Sequence, residues 1–458
     1  VRVTDLAGPV DVCVAVPKLS LDRPFTYLVP EGMTGASIGS LVSVPFHGRT
    51  VKGWILGPGE AVPSARLLAL RTVRSPVSFF DAAMLRVLRW VSERYLAPLA
   101  TVIERSHPPR VAAAELGSAA DDPPTAPAPA APASEIAGFP ASRTTWLRPL
   151  PGEEASSCVS AVGACLAEGR RALVLVPEAD PLAYTGRAVL DAFGGRAVSF
   201  VGGDARGRYG VWLDILAGAH EVVVGTRPAV FAPLRRLGLI WVSREVHPAH
   251  REDRAPYYHV REVAAARARI EGAACVLASL SPSVDTAAGV RSGAVLARAP
   301  ARQIERAAAP LVETTAPDAE DRSVRLSGLL KRATSGALIV TRTGYGVARI
   351  CRSCHAPAAC AACGGWIVIE GGAPTCRSCG ASGRCRRCGS VAFGIERGGL
   401  ERVAEWAGRI AHVPVHLRGV PSADGPALGR DEPGDGRIVV GTAASVVDAG
   451  PVRLDLVG

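Results

Sequence analysis

The sequence predicts a multidomain α/β protein, with a β-rich N-terminal domain, two α/β units, and a two-metal cysteine insertion inside the second unit. Three observations predict it. Short alternating apolar runs fill residues 11–58, continuous apolar strands alternate with helical stretches after residue 143, and eight cysteines crowd between Cys351 and Cys388. With 458 residues the chain is too long for one core. It is 48% hydrophobic and 21% charged, a globular balance, and holds no apolar run of about eighteen residues, so no membrane span is expected. The opening residues Val1-Arg2-Val3-Thr4-Asp5 carry no charged-then-apolar signal, and the cytoplasm is the expected location.

Each element has its own warrant. Runs such as Asp11-Val12-Cys13-Val14-Ala15-Val16-Pro17 and Ser40-Leu41-Val42-Ser43-Val44-Pro45-Phe46 alternate between Pro and Gly breaks and read as a small sheet or barrel. Residues 79–100 show helical periodicity through Met84, Leu85, Leu88 and Val91, closing a domain over 1–111. Residues 112–142 are Ala/Pro-rich and read as a disordered or extended linker, because so little apolar area cannot offset the entropy of ordering. The first α/β unit, 143–310, has strands expected at 172–176, 197–201, 221–225, 238–243 and 274–278, with helices near 181–193 and 258–271. Unbroken apolar strands between helices imply a parallel sheet covered on both faces. The second unit, 311–458, has strands at 337–341, 413–417 and 437–441 and a helix at 399–410. The chain stops at Gly458 after a strand-like run, which suggests a truncated or partial chain.

The cysteines form four Cys-x-x-Cys knuckles: Cys351/Cys354, Cys360/Cys363, Cys376/Cys379 and Cys385/Cys388, separated by five, twelve and five residues. Such knuckles each present two thiolates to one tetrahedral Zn²⁺, so two structural zincs are expected. The symmetric spacing about Trp366-Ile367-Val368-Ile369 predicts a hairpin. A hairpin brings the second and third knuckles together on one zinc (Cys360, Cys363, Cys376, Cys379) and leaves the first and fourth for the other (Cys351, Cys354, Cys385, Cys388). A disulfide framework and an iron–sulfur cluster compete with zinc, but the lack of a secretory signal and four evenly built knuckles favour zinc. Cys13, Cys158, Cys165 and Cys275 sit in apolar surroundings and read as core.

Net charge is +10, which favours a polyanionic partner. Of 52 basic residues only Lys18, Lys52 and Lys331 are lysines, leaving 49 arginines. Around the cysteines Arg342, Arg349, Arg352, Arg377, Arg384, Arg386 and Arg387 face one acid, Glu370. Eight thiolates less two Zn²⁺ leave about four negative charges, so these arginines either neutralise the metal sites or bind phosphate.

Several of these stretches resemble the bacterial replication-restart primosomal protein family PriA, also called primosomal protein N′, among the superfamily 2 DNA helicases. Arg23-Pro24-Phe25-Thr26-Tyr27-Leu28-Val29-Pro30-Glu31-Gly32 and Val44-Pro45-Phe46 are similar to the family's 3′-end DNA-binding domain. Leu173-Val174-Leu175-Val176-Pro177-Glu178, Val223-Val224-Gly225-Thr226-Arg227, Phe231-Ala232-Pro233-Leu234 and Tyr258-His259 are similar to its helicase signatures, and the cysteine octet sits where the family carries its zinc insertion, with the same nested pairing. The resemblance implies two RecA-like lobes. It also implies DNA contacts at Phe25, Tyr27, His47, Gly48, Arg49 and Lys52, with Thr26 standing where the family has an acid. The family's winged-helix domain is not expected within 31 Ala/Pro-rich residues.

The resemblance also implies ATP hydrolysis, and here the sequence departs from it. A P-loop requires a Gly-rich turn followed by Lys and Ser/Thr, to cradle phosphates, neutralise charge and hold Mg²⁺. The family's Lys-Thr falls on Glu154-Ala155, and its Asp-Glu-Glu-His falls on Ser243-Arg244-Glu245-Val246. Neither ATP nor Mg²⁺ is expected to bind, and the lobes read as degenerate. The expected function is recognition of forked or branched DNA, with recruitment of primosome and single-strand-binding proteins, without helicase activity. Two alternatives stand beside it: an ATP-dependent 3′–5′ DNA helicase with a divergent nucleotide site, and a zinc-containing recruitment platform that does not touch DNA. His247, His250 and His259 lie among Glu245, Glu252 and Asp253, but the former ATP-motif loop accounts for them better than a metal or hydrolytic site does.

Overall fold

The computed structural model describes residues 5–60, 66–115, 134–180, 182–313, 324–340, 349–370, 373–395, 400–418, 436–442 and 454–457. The chain divides into two compact units, Val1–Ala309 and Pro310–Gly458.

The first unit opens with an antiparallel sheet of β1 (Gly8–Val14), β2 (Phe25–Val29), β3 (Ser40–Phe46), β4 (Arg49–Pro58) and β5 (Thr72–Ser78), in the order β2-β1-β4-β3-β5. Period-two alternation drives it. Val10, Val12 and Val14 join Tyr27, Val42, Val44 and Ile55 on one face. Cys13, Leu41, Trp54 and Leu56 turn to the other, where helix α1 (Ala82–Tyr95) covers them. His47 and Gly48 both have positive φ, 47° and 75°, and make the two-residue turn that pairs Phe46 with Arg49. Asp81 caps α1 by accepting from Met84 N at 2.8 Å. The single helix expected to residue 100 instead breaks at Leu96, which is left-handed, before α2 (Leu99–Arg105). Pro98 explains the break, because a proline drives its predecessor away from helical backbone.

The segment read as a linker is ordered at both ends. Helix α3 (Ala112–Glu115) buries Glu115 to 2% exposure, and a hairpin of β6 (Glu135–Ile136) and β7 (Phe139–Pro140) buries Ile136 and Phe139. The residues responsible are the few in the stretch that are not Ala or Pro. Residues 116–133, which include Pro123–Pro129, lie outside the described residues.

Seven parallel strands follow: β8 (Thr144–Leu147), β9 (Arg171–Leu175), β10 (Ala197–Phe200), β11 (Val222–Gly225), β12 (Leu237–Val242), β13 (Ala274–Ala278) and β14 (Val295–Arg298), in the order β10-β11-β9-β12-β13-β8-β14. Interleaved with them are α4 (Glu154–Ala167), α5 (Tyr184–Phe193), α6 (Ala205–Ala217), α7 (Val260–Glu271) and α8 (Val284–Ser292), with α9 (Arg302–Ala308) after the last strand. Leu173, Leu175, Ile240 and Val242 face one core, and Ala172, Val174, Val176 and Trp241 face the other. Both faces are therefore covered, as continuous apolar strands require. The first core runs without interruption into the N-terminal sheet. Phe79 stacks on Trp212 at 5.5 Å, and Glu115 accepts from Tyr209 Oη at 2.6 Å while Arg110 pairs with it.

The second unit has α10 (Val324–Leu330), β15 (Gly336–Ile339), the cysteine module with β16 (Arg349–Cys351), β17 (Ile367–Glu370), β18 (Ala373–Cys376) and β19 (Phe393–Ile395), then α11 (Leu400–Gly408), β20 (Val415–Arg418), β21 (Ile438–Gly441) and β22 (Leu456–Val457). Strands β20-β21-β15-β22 form a parallel sheet, and Leu330, Leu338, Leu400, Ala407, Ile438 and Val440 form its core. Arg342, Gly371–Gly372 and Gly458 lie outside the described residues.

Candidate functional site

The cysteine module is built from two hairpin-like halves. β17 and β18 pair antiparallel, with Ile367 opposite Cys376, and β16 pairs with β19, with Cys351 opposite Phe393. This groups Cys351, Cys354, Cys385 and Cys388 in one tetrad and Cys360, Cys363, Cys376 and Cys379 in another, the sulfurs of each within 4.8 Å of one another. The arrangement is nested, first knuckle with fourth and second with third. Sγ separations are 3.4 Å for Cys351–Cys388, 3.7 Å for Cys354–Cys385, 3.9 Å for Cys360–Cys379 and 3.5 Å for Cys363–Cys376. A tetrahedral ion about 2.3 Å from each sulfur requires sulfurs about 3.8 Å apart, so both tetrads fit such an ion.

The local backbone favours the thiolate at Cys351 and Cys376, whereas at Cys363 and Cys388 the N–H groups of Gly365 and Ser390 are outweighed by neighbouring thiols, which push both up to about 12. Desolvation opposes ionisation of Cys351, but backbone N–H groups of Cys354 and Ser353 outweigh it and hold the thiol down to about 6. The N–H groups of Cys379 and Ser378 hold Cys376 at about 6 against desolvation. These N–H groups point at the sulfur because each knuckle turns tightly after its first cysteine. Gly365 is obligatory beside one of them, since a Cβ there would lie 2.4 Å from Ser378 Oγ and 3.2 Å from Cys363 Sγ. By contrast Cys158 and Cys275 are fully buried, and desolvation pushes both thiols up, Cys275 to about 12. With Cys13 and Cys165 they are core, not ligands.

At the N-terminal sheet, the structure separates the six residues expected to touch DNA. His47, Gly48 and Arg49 are exposed at the β3–β4 turn. Phe25 is half-buried, edge-on to Phe46 at 5.0 Å, with the Arg23 guanidinium 5.1 Å above its ring. Tyr27 does not belong to this surface. It is 4% exposed and its hydroxyl donates to Pro45 O at 3.0 Å, because it falls on the inward phase of β2. Lys52 is exposed but pairs with Glu104 at 2.9 Å. Thr26 donates to Asp11 Oδ1, its cross-strand partner, at 2.7 Å.

The residues standing at the ATP-motif positions converge at the C-terminal ends of β9 and β12. Glu154 opens α4, and burial pushes its carboxyl up from the ordinary value against opposing contacts from Ser243 and Trp241. Its Oε1 is buried without a hydrogen-bond partner. Burial thus favours the neutral form of the Glu154 carboxyl relative to an exposed acid such as its neighbour Glu153. Ala155 is packed in the core. Arg244, left-handed at φ 46°, directs its guanidinium to Glu178 at the end of β9. Glu178 also pairs with His247 at 2.9 Å. Glu245 is buried beneath, held by Arg261 at 3.2 Å and by Ser283 N at 2.7 Å. Glu178 and His247 belong to this network although neither stands at a motif position that lost its usual residue.

The other histidines are structural. His250 Nε2 lies 2.8 Å from Ser243 O, and burial pushes its pKa down to about 4. His259 caps α7 by accepting from Arg261 N, and burial pushes it to about 4 as well.

Comparison with known proteins bears on the N-terminal sheet first. The family of PriA 3′DNA-binding domains (3′BD) matches residues 11–108. The chain is 34% identical over 384 residues to the probable replication restart protein PriA of Mycobacterium tuberculosis, covering 77% of this chain and 58% of that protein. The chain is of the PriA type. The PriA likeness extends beyond mycobacteria: the replication restart protein PriA of Treponema pallidum is 27% identical over 368 residues, covering 75% of this chain and 56% of its own length. This PriA-type chain thus spans just over half the length of these curated relatives.

Proposed function

We propose that this chain is a replication-restart protein of the cytoplasm that binds forked or branched DNA and recruits primosome and single-strand-binding proteins, without hydrolysing ATP. The restart role is supported by the PriA-type relatives and the DNA role by the 3′BD match over 11–108. The observation that carries the loss of the motor is the closed network at the ends of β9 and β12. A nucleotide site must offer a free cation and hydroxyl to phosphate and Mg²⁺. Here a buried Glu154 and the apolar Ala155 stand at the P-loop position, and the Arg244 guanidinium is engaged by Glu178. Removing charge-stabilising groups of this kind costs orders of magnitude in rate.

In this reading the N-terminal turn contacts the DNA backbone. Arg49 is exposed and has no carboxylate partner among the described residues, so its charge is available to phosphate. Half-buried Phe25, steadied by Phe46, offers a ring edge for a base. Each cysteine tetrad holds one Zn²⁺, which when bound cross-links a module whose own core is small. Forked DNA titrated at about 150 mM salt tests the reading. The expected result is tight binding that weakens, with a salt slope lower by about 0.9, in Arg49→Ala, and a smaller effect for Lys52→Ala because Glu104 already holds that lysine. Unchanged affinity in both would move DNA recognition elsewhere.

A further inference from the structure

The chain has seven tryptophans, and six are accounted for by packing. Trp54, Trp146, Trp212 and Trp241 are buried, and Trp90 and Trp406 pack against core clusters. Trp366 is different. It sits at the start of β17 with 62% of its surface exposed, and among the described residues no ring or cation covers its face. Its backbone position is well determined by its neighbours: Arg377 N donates to Trp366 O at 3.0 Å, Trp366 bridges Ala359, and Arg386 N donates to Ala359 O at 3.1 Å. Arg377 therefore lies one segment from the tryptophan on one side, and Arg386 two segments away on the other, beyond Ala359, with segments spaced at about 4.8 Å. The Arg386 guanidinium comes within 3.3 Å of the Cβ position of Gly364, two residues before Trp366. Arg377 and Arg386 are exposed, and among the described residues neither is ion-paired.

We propose that Trp366, Arg377 and Arg386 form a stacking site for an unpaired base of single-stranded DNA, with the two guanidiniums on the flanking phosphates. An exposed indole presents a face to any base, and arginines on both sides track a backbone whichever way the strand runs. A duplex offers no such base face, so the site selects single strands. The proposal deepens the reading of a DNA-binding restart protein by adding a contact independent of the N-terminal domain.

The test uses the full chain loaded with zinc and an oligo(dT) of roughly 15 nucleotides. Oligo(dT) is expected to quench tryptophan fluorescence. Trp366→Ala should abolish most of the quenching and weaken oligo(dT) binding roughly ten-fold or more, whereas Trp366→Phe should retain most of the affinity. Arg377→Gln with Arg386→Gln should reduce the slope of log K against log salt by about 1.4. Arg49→Ala should weaken fork binding and leave oligo(dT) binding in place, so failure of the N-terminal reading is distinguishable from failure of this one. Zinc content of each variant reports whether the module has stayed folded; if Trp366→Ala loses zinc, Trp366→Phe decides, since its loss of binding with zinc intact overturns the stacking role. Equal affinity for a blunt duplex, absence of oligo(dT) binding, or unchanged binding by Trp366→Ala also overturns the proposal.

Discussion

The network at the ends of β9 and β12 and the cysteine module treat charge in opposite ways. In the network carboxylates meet three arginines, Arg244 on Glu178, which also pairs with His247, Arg261 on Glu245 and Asp285, and Arg227 on Glu252. In the module Arg352, Arg377, Arg384, Arg386 and Arg387 are exposed, and among the described residues none has an acid partner. The two tetrads gather four sulfurs each at the spacing of an ion, while in the network the described buried side-chain atoms without a hydrogen-bond partner are single ones, Glu154 Oε1, Trp241 Nε1, His250 Nδ1 and Arg261 Nε. A group satisfied inside the protein has little to offer a ligand, and a group left unsatisfied at the surface has much. In the proposed function the first region is a retired site and the second a working one.

The largest effect that could break this comparison comes from the module. Substituting Cys376 and Cys379 with Ser should lower bound zinc from two per chain to one, because these thiols belong to a single tetrad; elemental analysis of the purified variant gives the count. Structural zinc contributes on the order of 10 kcal/mol to folding such modules, so the half around β17 and β18 should lose its protection from proteolysis. Loss of both ions with the second tetrad's partners still in place would contradict the nested grouping.

Next in size is the buried pair that ties α3 to α6. Arg110 and Tyr209 hold the Glu115 carboxyl below its ordinary range even though desolvation works against it. Glu115→Ala leaves Arg110 without its partner and should cost about 3 kcal/mol, read from the denaturant midpoint. Because the folded-state pKa is depressed, this stability is present above the ordinary carboxylate pKa and is lost as pH falls through the lower folded value. The penalty of the substitution should therefore shrink in acid.

Glu154 has the opposite sign. Its folded pKa is raised, so its contribution is most favourable below the ordinary carboxylate pKa and is lost as pH rises through the folded value. Glu154→Gln should raise the Tm at pH 8 and change it little at pH 4. A Tm gain in acid instead would show that burial does not raise this carboxyl as described. The smallest effect belongs to Arg244→Gln. That pair is about one quarter exposed, so its loss should cost no more than about 1 kcal/mol in chemical denaturation, and it should not create ATP binding.

Much of the fold was legible in the sequence because the signals were periodic. The apolar strands expected at 172–176, 221–225 and 274–278 and the helix over 258–271 announced a parallel sheet, and the cysteine spacing announced two nested tetrads. What escaped was set by contacts distant in sequence. Glu115 orders the end of an Ala/Pro-rich stretch only because Tyr209 lies 94 residues away to receive it. Tyr27 looked like a DNA contact from its motif, yet strand phase turns it inward onto Pro45. Glu154 was legible only as the residue at the lysine position of the resemblance, and its burial beside Trp241 and Ser243, which pushes its carboxyl up, depends on the fold. Trp366 was visible only as part of a hairpin; its exposure depends on how the four knuckles fold around it.

ATP turnover by the purified chain, measured with and without saturating forked DNA, tests the central claim most directly. The account predicts that fork DNA binds and that phosphate release stays at the background rate in both conditions. Fork-stimulated hydrolysis that co-purifies with the protein would contradict it, and would mean that the network around Glu178 and Arg244 opens to admit a nucleotide.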